Sequence, residues 1–514
     1  MLIKAILLGL VSLVAVVDSR LIGRQNIGRP LILSTLAGLV LGDMKQGIIL
    51  GASLELMSMG FVAIGAAGPP NMQLGSVIAT AFAILSGATT EEALSLAIPV
   101  AVAGEFLSEL MRMVIAQFSH FADKAIDEGK FKKAIHVHLW WSFIFNCLVY
   151  FVPVFLAVYL GIDLVSNFVD AIPEVITKGL TVSGNLLSAL GFAMLLSTML
   201  SKKMFPYFML GFLIVAYSGL DLVGVTLFAI ILAYILDKVF YGKGANVKLT
   251  KADLRKVFLR SLTIMCSWNY ERQMHMGFMC GMSPVLDKLY ADDEERKKDA
   301  YRRHMEFFNC TPQMTPFIMG LVASMEEQNA NSEEGDFQTE SIPMIKTSLM
   351  GPFAGIGDSF FQGTLRIITF GIGLSFAKQG SVLGPILAVV LFAIPSLLFA
   401  YNATFLGYES GNKYLAKLYQ GGLMDRVMHF ASIVGLLVVG GMVASMVNIT
   451  TPLQFQNGGT SLVLQDMLNT IFPKLLPLVF TLGVYKLIQK KVNTNALLIG
   501  TILFGLVMGG LGIL

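Results

Sequence analysis

Residues Leu139–Gly161 read LWWSFIFNCLVYFVPVFLAVYLG, twenty-three positions without a charge. A helix needs only about 20 predominantly apolar residues to cross the hydrocarbon of a bilayer. Further apolar runs occupy Phe205–Leu236, Leu383–Ala400 and Phe430–Met446. The chain of 514 residues is 55% hydrophobic and 14% charged, whereas soluble domains carry about 25% charged residues. Its mean hydropathy is +0.70. In lipid every backbone polar group must be satisfied within its own segment, so these runs predict membrane-spanning helices. The expected fold is an all-α polytopic membrane protein. Ala5–Val17 follows Met1 without a small-residue cleavage site and reads as a first membrane segment, not a removed signal.

Charge divides the chain. Between Lys243 and Lys346 lie 29 of the 71 charged residues, leaving hydrophobic blocks on either side. The expected organisation is a membrane domain at 1–240, a linker at 241–248 and a second unit at 249–514. That unit has an amphipathic part (249–348) and a membrane part (349–514). Thr250 with Asp253 forms an N-cap signal, after which Leu254, Val257, Phe258 and Ser261 share one face. The pattern fits a helix at a membrane surface or a solvated charged helix. Asp292–His304 predicts a charged helix, and Glu326–Glu340 a polar loop. Basic residues here and in Asp123–Lys133 suggest cytoplasmic loops. No basic patch suits nucleic acid. Cys147, Cys266, Cys280 and Cys310 have no disulfide or zinc spacing, and no metal, cofactor or catalytic constellation is expected.

Two apolar stretches are interrupted by glycine and proline, Ile64–Gln73 (IGAAGPPNMQ) and Met350–Ser359 (MGPFAGIGDS). Paired interruptions of this kind point to a midplane substrate site in transporters. The alternatives are a proline kink or close helix packing through small residues. Both bring polar side chains to membrane depth: Glu55, Asn71 and Gln73 in the first half, Asp358 and Gln362 in the second. An ionisable residue such as Glu55 in an apolar stretch marks function by default.

The residues Gly47–Leu56 (GIILGASLEL), Gly60–Pro70 (GFVAIGAAGPP) and Ile98–Gly104 (IPVAVAG) resemble the IIC component of the mannose-family, phosphoenolpyruvate-dependent sugar phosphotransferase system. LTKADLRKVFLRS from Leu249, SWNYER from Ser267, RRHMEFFN from Arg302, EEQNAN from Glu326 and GPFAGIGD from Gly351 resemble its IID component. The likeness covers nearly the whole chain, with two normally separate components joined head to tail. It implies a sugar-translocating pair in the bacterial cytoplasmic membrane, served by soluble IIA and IIB phosphocarriers. IIB would phosphorylate the emerging sugar. It also implies a homotrimer of IIC–IID units and an elevator-like movement; the expected architecture is two pseudo-symmetric halves with broken re-entrant hairpins.

SWNYER supplies a vocabulary suited to a sugar, whose hydroxyls need donors and acceptors and whose C–H face suits an aromatic ring. Trp268 would stack, while Ser267 and Asn269 hydrogen-bond. Glu271 and Arg272 would bind hydroxyls or pair with each other and pin this segment to the IIC half. Trp268 as an interface anchor is the alternative. The family pattern is read as having Gln at position 55, so Glu55 hints at an amino-bearing sugar. His120, His136 and His138 read as interfacial or loop residues. His275 and His304 sit within IID motifs. An ion-coupled sugar carrier, or a bacteriocin or phage receptor as a secondary role, would also use such a chain.

Overall fold

The structure is a computed structural model, and it describes residues 1–58, 70–161, 205–218, 249–332, 337–418, 449–457, 460–490 and 494–514, with isolated positions between 182 and 196 and between 436 and 447, and position 492. The expected linker 241–248, the tip of the first interrupted segment (59–69) and most of Phe430–Met446 lie outside the described residues, as does Phe205–Leu236 beyond 218.

The first half begins with α1 (Leu2–Arg20), α2 (Pro30–Leu41), α3 (Met44–Ser58), α4 (Met72–Ser86) and α5 (Thr90–Asp127). A short α6 (Phe131–His136) widens into a π-helical turn at Val137–Trp141 and continues as α7 (Ser142–Leu160). Each start has a local cause. Pro30 opens α2 with a fixed φ and no N–H to leave orphaned. Thr89 and Glu92 form a reciprocal capping box on α5. Asn71 caps α4 by accepting the Leu74 N–H at 3.3 Å.

In the second half, Thr250 and Asp253 form the capping box expected at Lys251–Ser261, and that helix buries Leu254, Val257 and Ser261. Glu294–His304 is the expected charged helix, capped by Asp293. Glu326–Glu340 is not simply a loop. The helix Thr315–Asn331 runs through its first part, and Glu326 and Glu327 are buried. Arg303 makes this possible by donating to both Glu326 carboxylate oxygens, at 2.6 and 2.8 Å.

The Met350–Ser359 interruption is not unwound. Pro352 sits inside Ser341–Gly357, which passes into a π-helical segment at Asp358–Leu365 and on into Arg366–Ala377. The π widening begins only after Pro352, at Asp358. The sharp break lies elsewhere: Leu464–Ile471 and Leu475–Gln489 meet at 78°. A small antiparallel hairpin, Gln454–Asn457 with Thr460–Val463, is an addition to the otherwise helical fold.

Among the described residues, five helices are long and apolar enough to cross a membrane, or six if the bent pair forms one span. One apolar core belongs to the first half, where α1, α2, α4, α5 and α7 meet around Leu8, Val77 and Val154. A larger core straddles both halves, joining Ala122, Ile126 and Val137 to Trp268, Tyr270 and Phe308. A third seats Phe370 and Leu374 of the second half against Leu31 and Ile48 of α2 and α3. The halves are thus packed through continuous apolar cores.

Candidate functional site

A cavity of about 190 Å³ opens among the α1–α2 connection, α4, α5, α7 and Arg366. Its wall carries charges of both signs: Asp18, Arg24, Arg29, Glu105, Arg112 and Arg366. Pro30, Pro70, Met72 and Tyr150 supply apolar surface. Asn71 and Gln73, both expected at the site, also line it.

The α1–α2 connection is built by Asp18. Its carboxylate accepts the N–H groups of Gln25 at 2.7 Å and Gly28 at 3.1 Å, folding the chain back so that Arg24, Asn26 and Arg29 reach the cavity. The fold requires unusual backbone: Gly23, Arg24 and Asn26 all have positive φ, near 74°, 58° and 63°. Such strain in non-glycine residues costs of order 1–3 kcal/mol each and persists where surroundings over-determine it. The second half helps hold it, since Gln313 Nε2 donates to the carbonyls of Gly23 (3.3 Å) and Arg24 (3.1 Å). Gly28 is needed for space. A Cβ there would lie 2.8 Å from the Ala15 backbone and 3.0 Å from Gln73 Nε2.

Opposite this loop, Tyr150 organises the start of α4. Asn71 Nδ2 donates to Tyr150 Oη at 3.1 Å and to Ser108 Oγ at 2.9 Å. The Tyr150 hydroxyl in turn donates to Gln73 Oε1 at 2.9 Å. The two amides are therefore held rigidly at the cavity wall, with Gln73 Nε2 facing Gly28.

Glu55, expected among the substrate contacts, does not line the cavity. It is buried behind the wall, accepting from Arg29 Nε at 2.8 Å and Nη2 at 2.5 Å, and from the Leu31 N–H at 3.3 Å. A buried carboxylate survives in hydrocarbon by pairing, and Arg29 is the partner. It is Arg29 that presents itself to the cavity, so Glu55 reaches the cavity only through this pair.

The SWNYER segment lies at the joint between the halves. It is a folded loop, not a helix. Asn269 Oδ1 accepts the N–H groups of Glu271 and Arg272, each at 3.0 Å, and Asn269 Nδ2 lies 3.4 Å from Ser119 Oγ of α5. Ser267 Oγ lies 2.6 Å from His138 Nδ1. His138 is fully buried, so its reading as an interfacial or loop residue is corrected: a buried imidazole needs partners, and Ser267 and Thr263 supply them. Arg272 pairs with Asp123 of α5 and lies 3.5 Å from Glu271, whose other oxygen is 3.2 Å from His120 Nε2. Trp268 packs edge-on against Tyr270 at 5.2 Å and lies under the Arg112 guanidinium at 5.1 Å.

Of the ten side chains expected at the site, Asn71 and Gln73 are on the cavity wall. Glu55 stands behind it, and Ser267, Trp268, Asn269, Glu271 and Arg272 are packed into the joint. Asp358 and Gln362 lie on the π-helical segment leading to Arg366. Thr311 Oγ1 donates to Asp358 at 2.9 Å, and Gln362 is buried. Sequence reading missed Asp18, Arg24, Arg29, Glu105, Arg112 and Arg366. The available signal was the one applied to Glu55, a charge inside an apolar helix, which Glu105 and Arg112 also satisfy. Among the described residues no cluster of three metal-ligating side chains occurs.

Residues 2–235 match the family described as the sorbose-specific IIC component of the phosphotransferase system (PTS). Residues 248–514 match the PTS mannose/fructose/sorbose family IID component. The chain is 37% identical over 273 residues to the mannose-specific EIID component of Escherichia coli, covering 52% of this chain and 95% of that one. It is 38% identical over 205 residues to the mannose-specific EIIC component of Escherichia coli, covering 40% and 77% respectively. A solved complex of the mannose transporter ManYZ with a microcin is 36% identical, spans 52% of this chain and 99% of that chain, and has a TM-score of 0.48. The chain belongs to the mannose/fructose/sorbose family of PTS sugar permeases, a multi-pass inner-membrane protein that carries the IIC and IID components in one polypeptide.

Proposed function

We propose that the cavity between the α1–α2 connection, α4, α5 and Arg366 is the sugar site of this permease, and that the solute is a hexose or amino sugar phosphorylated by a soluble IIB partner as it emerges. The carrying observation is that a IIC cavity lined by amides and charges of both signs also takes an arginine, Arg366, from the IID half. A sugar hydroxyl is both donor and acceptor. Glu105 and the Asn71 carbonyl offer acceptors, Arg24 and Arg112 offer donors, and the Gln73 amide offers both. Pro30 and Met72 provide an apolar patch for the C–H face. The volume falls below the roughly 300–1,000 Å³ of drug-sized sites, which suits one small ring.

The binding step belongs to this chain and the phosphoryl chemistry to its IIA and IIB partners. An ion-coupled carrier is less favoured, because Glu55, Glu105 and Asp358 already have hydrogen-bonding partners within the protein. A trimer of IIC–IID units and an elevator-like movement extend the same reading from the family resemblance. The deciding experiment is uptake of labelled mannose, fructose, sorbose and glucosamine in cells with and without the phosphoryl carriers. Accumulation of sugar phosphate only when the carriers are present is expected, and carrier-independent accumulation of unmodified sugar overturns the reading. Particle mass of the purified protein in nanodiscs tests the trimer.

A further inference from the structure

We propose that Tyr270 is a positioning residue for the sugar cavity, holding the Arg112 guanidinium in place so that the IID half sets the affinity of a site built mostly from IIC. This rests on the cavity being the sugar site. Arg112 lies on α5, between the cavity and the joint. Its Nη1 is 2.9 Å from Glu105 Oε1, 2.9 Å from Glu109 Oε1 and 2.8 Å from Tyr270 Oη. One nitrogen with two hydrogens thus serves three acceptors, and the balance among them fixes where the guanidinium sits. The Tyr270 hydroxyl also donates to Glu109 Oε2, and this bond holds the hydroxyl with its lone pairs toward Arg112. The rings of Trp268 and Tyr270 lie 5.1 and 5.7 Å from the guanidinium carbon.

The same side chain also reaches the cavity. Arg112 and Glu105 both line it, and the described residues provide no acceptor for Arg112 Nη2. That nitrogen is left to a solute hydroxyl, with Glu105 beside it as acceptor. Tyr270 is fully buried and is not among the cavity-lining residues. Its influence on the solute therefore runs through Arg112. Removing the hydroxyl lets Nη1 settle fully on Glu105 and Glu109, which turns Nη2 and the Glu105 carboxylate away from the solute.

The test uses the full chain in nanodiscs, measuring Kd for whichever of mannose, fructose, sorbose and glucosamine binds tightest to the unsubstituted protein. Tyr270→Phe keeps the ring and its packing. It is expected to weaken binding roughly tenfold, as loss of a charge-assisted hydrogen bond does, with membrane insertion and folding retained. In the Arg112→Lys background, Tyr270→Phe is expected to add nothing, because residues acting through one group are not additive. Should Tyr270→Phe fail to assemble, Glu109→Gln removes the carboxylate that the hydroxyl engages and is expected to give the same loss. Gln73→Ala and Asn71→Ala are the controls. If they weaken binding while Tyr270→Phe and Glu109→Gln leave Kd unchanged, or if the effect of Tyr270→Phe persists in the lysine background, the positioning role is overturned and the cavity stands. If neither control changes Kd, the cavity itself is not the sugar site.

Discussion

Arg272 of the IID half and Asp123 of the IIC half meet across the joint, with Nη2 2.5 Å from Oδ2 and Nη1 3.2 Å from Oδ1. This two-pronged pairing, a geometry in which guanidinium and carboxylate bind most strongly, fastens the SWNYER loop to the end of α5. Asp123→Ala strands a mostly buried guanidinium and is expected to cost about 1–3 kcal/mol, read as a lower thermal midpoint in nanodiscs. The reversed pair, Asp123→Arg with Arg272→Asp, should recover only part of this, because the new carboxylate would lie beside Glu271. Full recovery, or no loss in the single variant, would remove the pair from the account of assembly.

Glu55→Gln is expected to destabilise the protein rather than retune its sugar preference. Losing the Glu55 carboxylate leaves the Arg29 guanidinium at the cavity wall without its charged partner, and breaking buried pairs costs about 3–5 kcal/mol. Binding of mannose and glucosamine should weaken in parallel. A selective loss of glucosamine binding in a stable variant would restore a direct role for the carboxylate.

Gly28→Ala places a methyl against the Ala15 backbone and the Gln73 amide. Overpacking of this kind costs about 1–3 kcal/mol, and the softest response is displacement of the Gln73 side chain into the cavity. Weakened sugar uptake with normal membrane insertion is the expected outcome. Unchanged uptake would show that the loop yields instead.

Acid should loosen the amphipathic part of the IID half. His304 is buried against Glu326 at 2.9 Å, and desolvation pushes its pKa down to about 4 despite that partner. Since the unfolded imidazole titrates near 6.5, the unfolded state takes up the proton first, and stability falls as pH drops from about 6.5 to about 4. The loss attributable to His304 is about 3 kcal/mol at most. Glu326, although desolvation opposes it, is held well below its usual range by Arg303 and His304. Its contribution is present above the unfolded carboxylate pKa and fades as pH falls further. Thermal midpoints recorded against pH should fall across the first window in the unsubstituted protein and stay flatter in His304→Asn. Parallel curves would exclude His304.

The membrane class and the two-part organisation were legible because hydropathy is a one-dimensional property. The N-caps at Thr250 and Thr89 are similarly local. Asn71 and Gln73 drew attention because they follow a glycine-proline interruption, and both line the cavity. SWNYER was harder to read: a buried joint between two membrane units needs the same donors, acceptors and aromatic faces as a sugar. Ser267 against His138, and Arg272 against Asp123, are pairings over more than a hundred residues that no local pattern encodes. The arginines at 24, 29 and 366 acquire meaning only when a strained loop and a distant helix bring them to one cavity.

The π-helical stretch Asp358–Leu365 ends where Arg366 begins, and this sets the angular phase of everything after it. Along an α-helix, one residue corresponds to about 100° of rotation and 1.5 Å of advance. Deleting a single residue within the stretch would turn Arg366–Ala377 like a screw backed off by a quarter turn. Arg366 would leave the cavity, and the seat of Phe370 and Leu374 on α2 and α3 would be lost with it. For this segment, chain length is as strict a specification as residue identity.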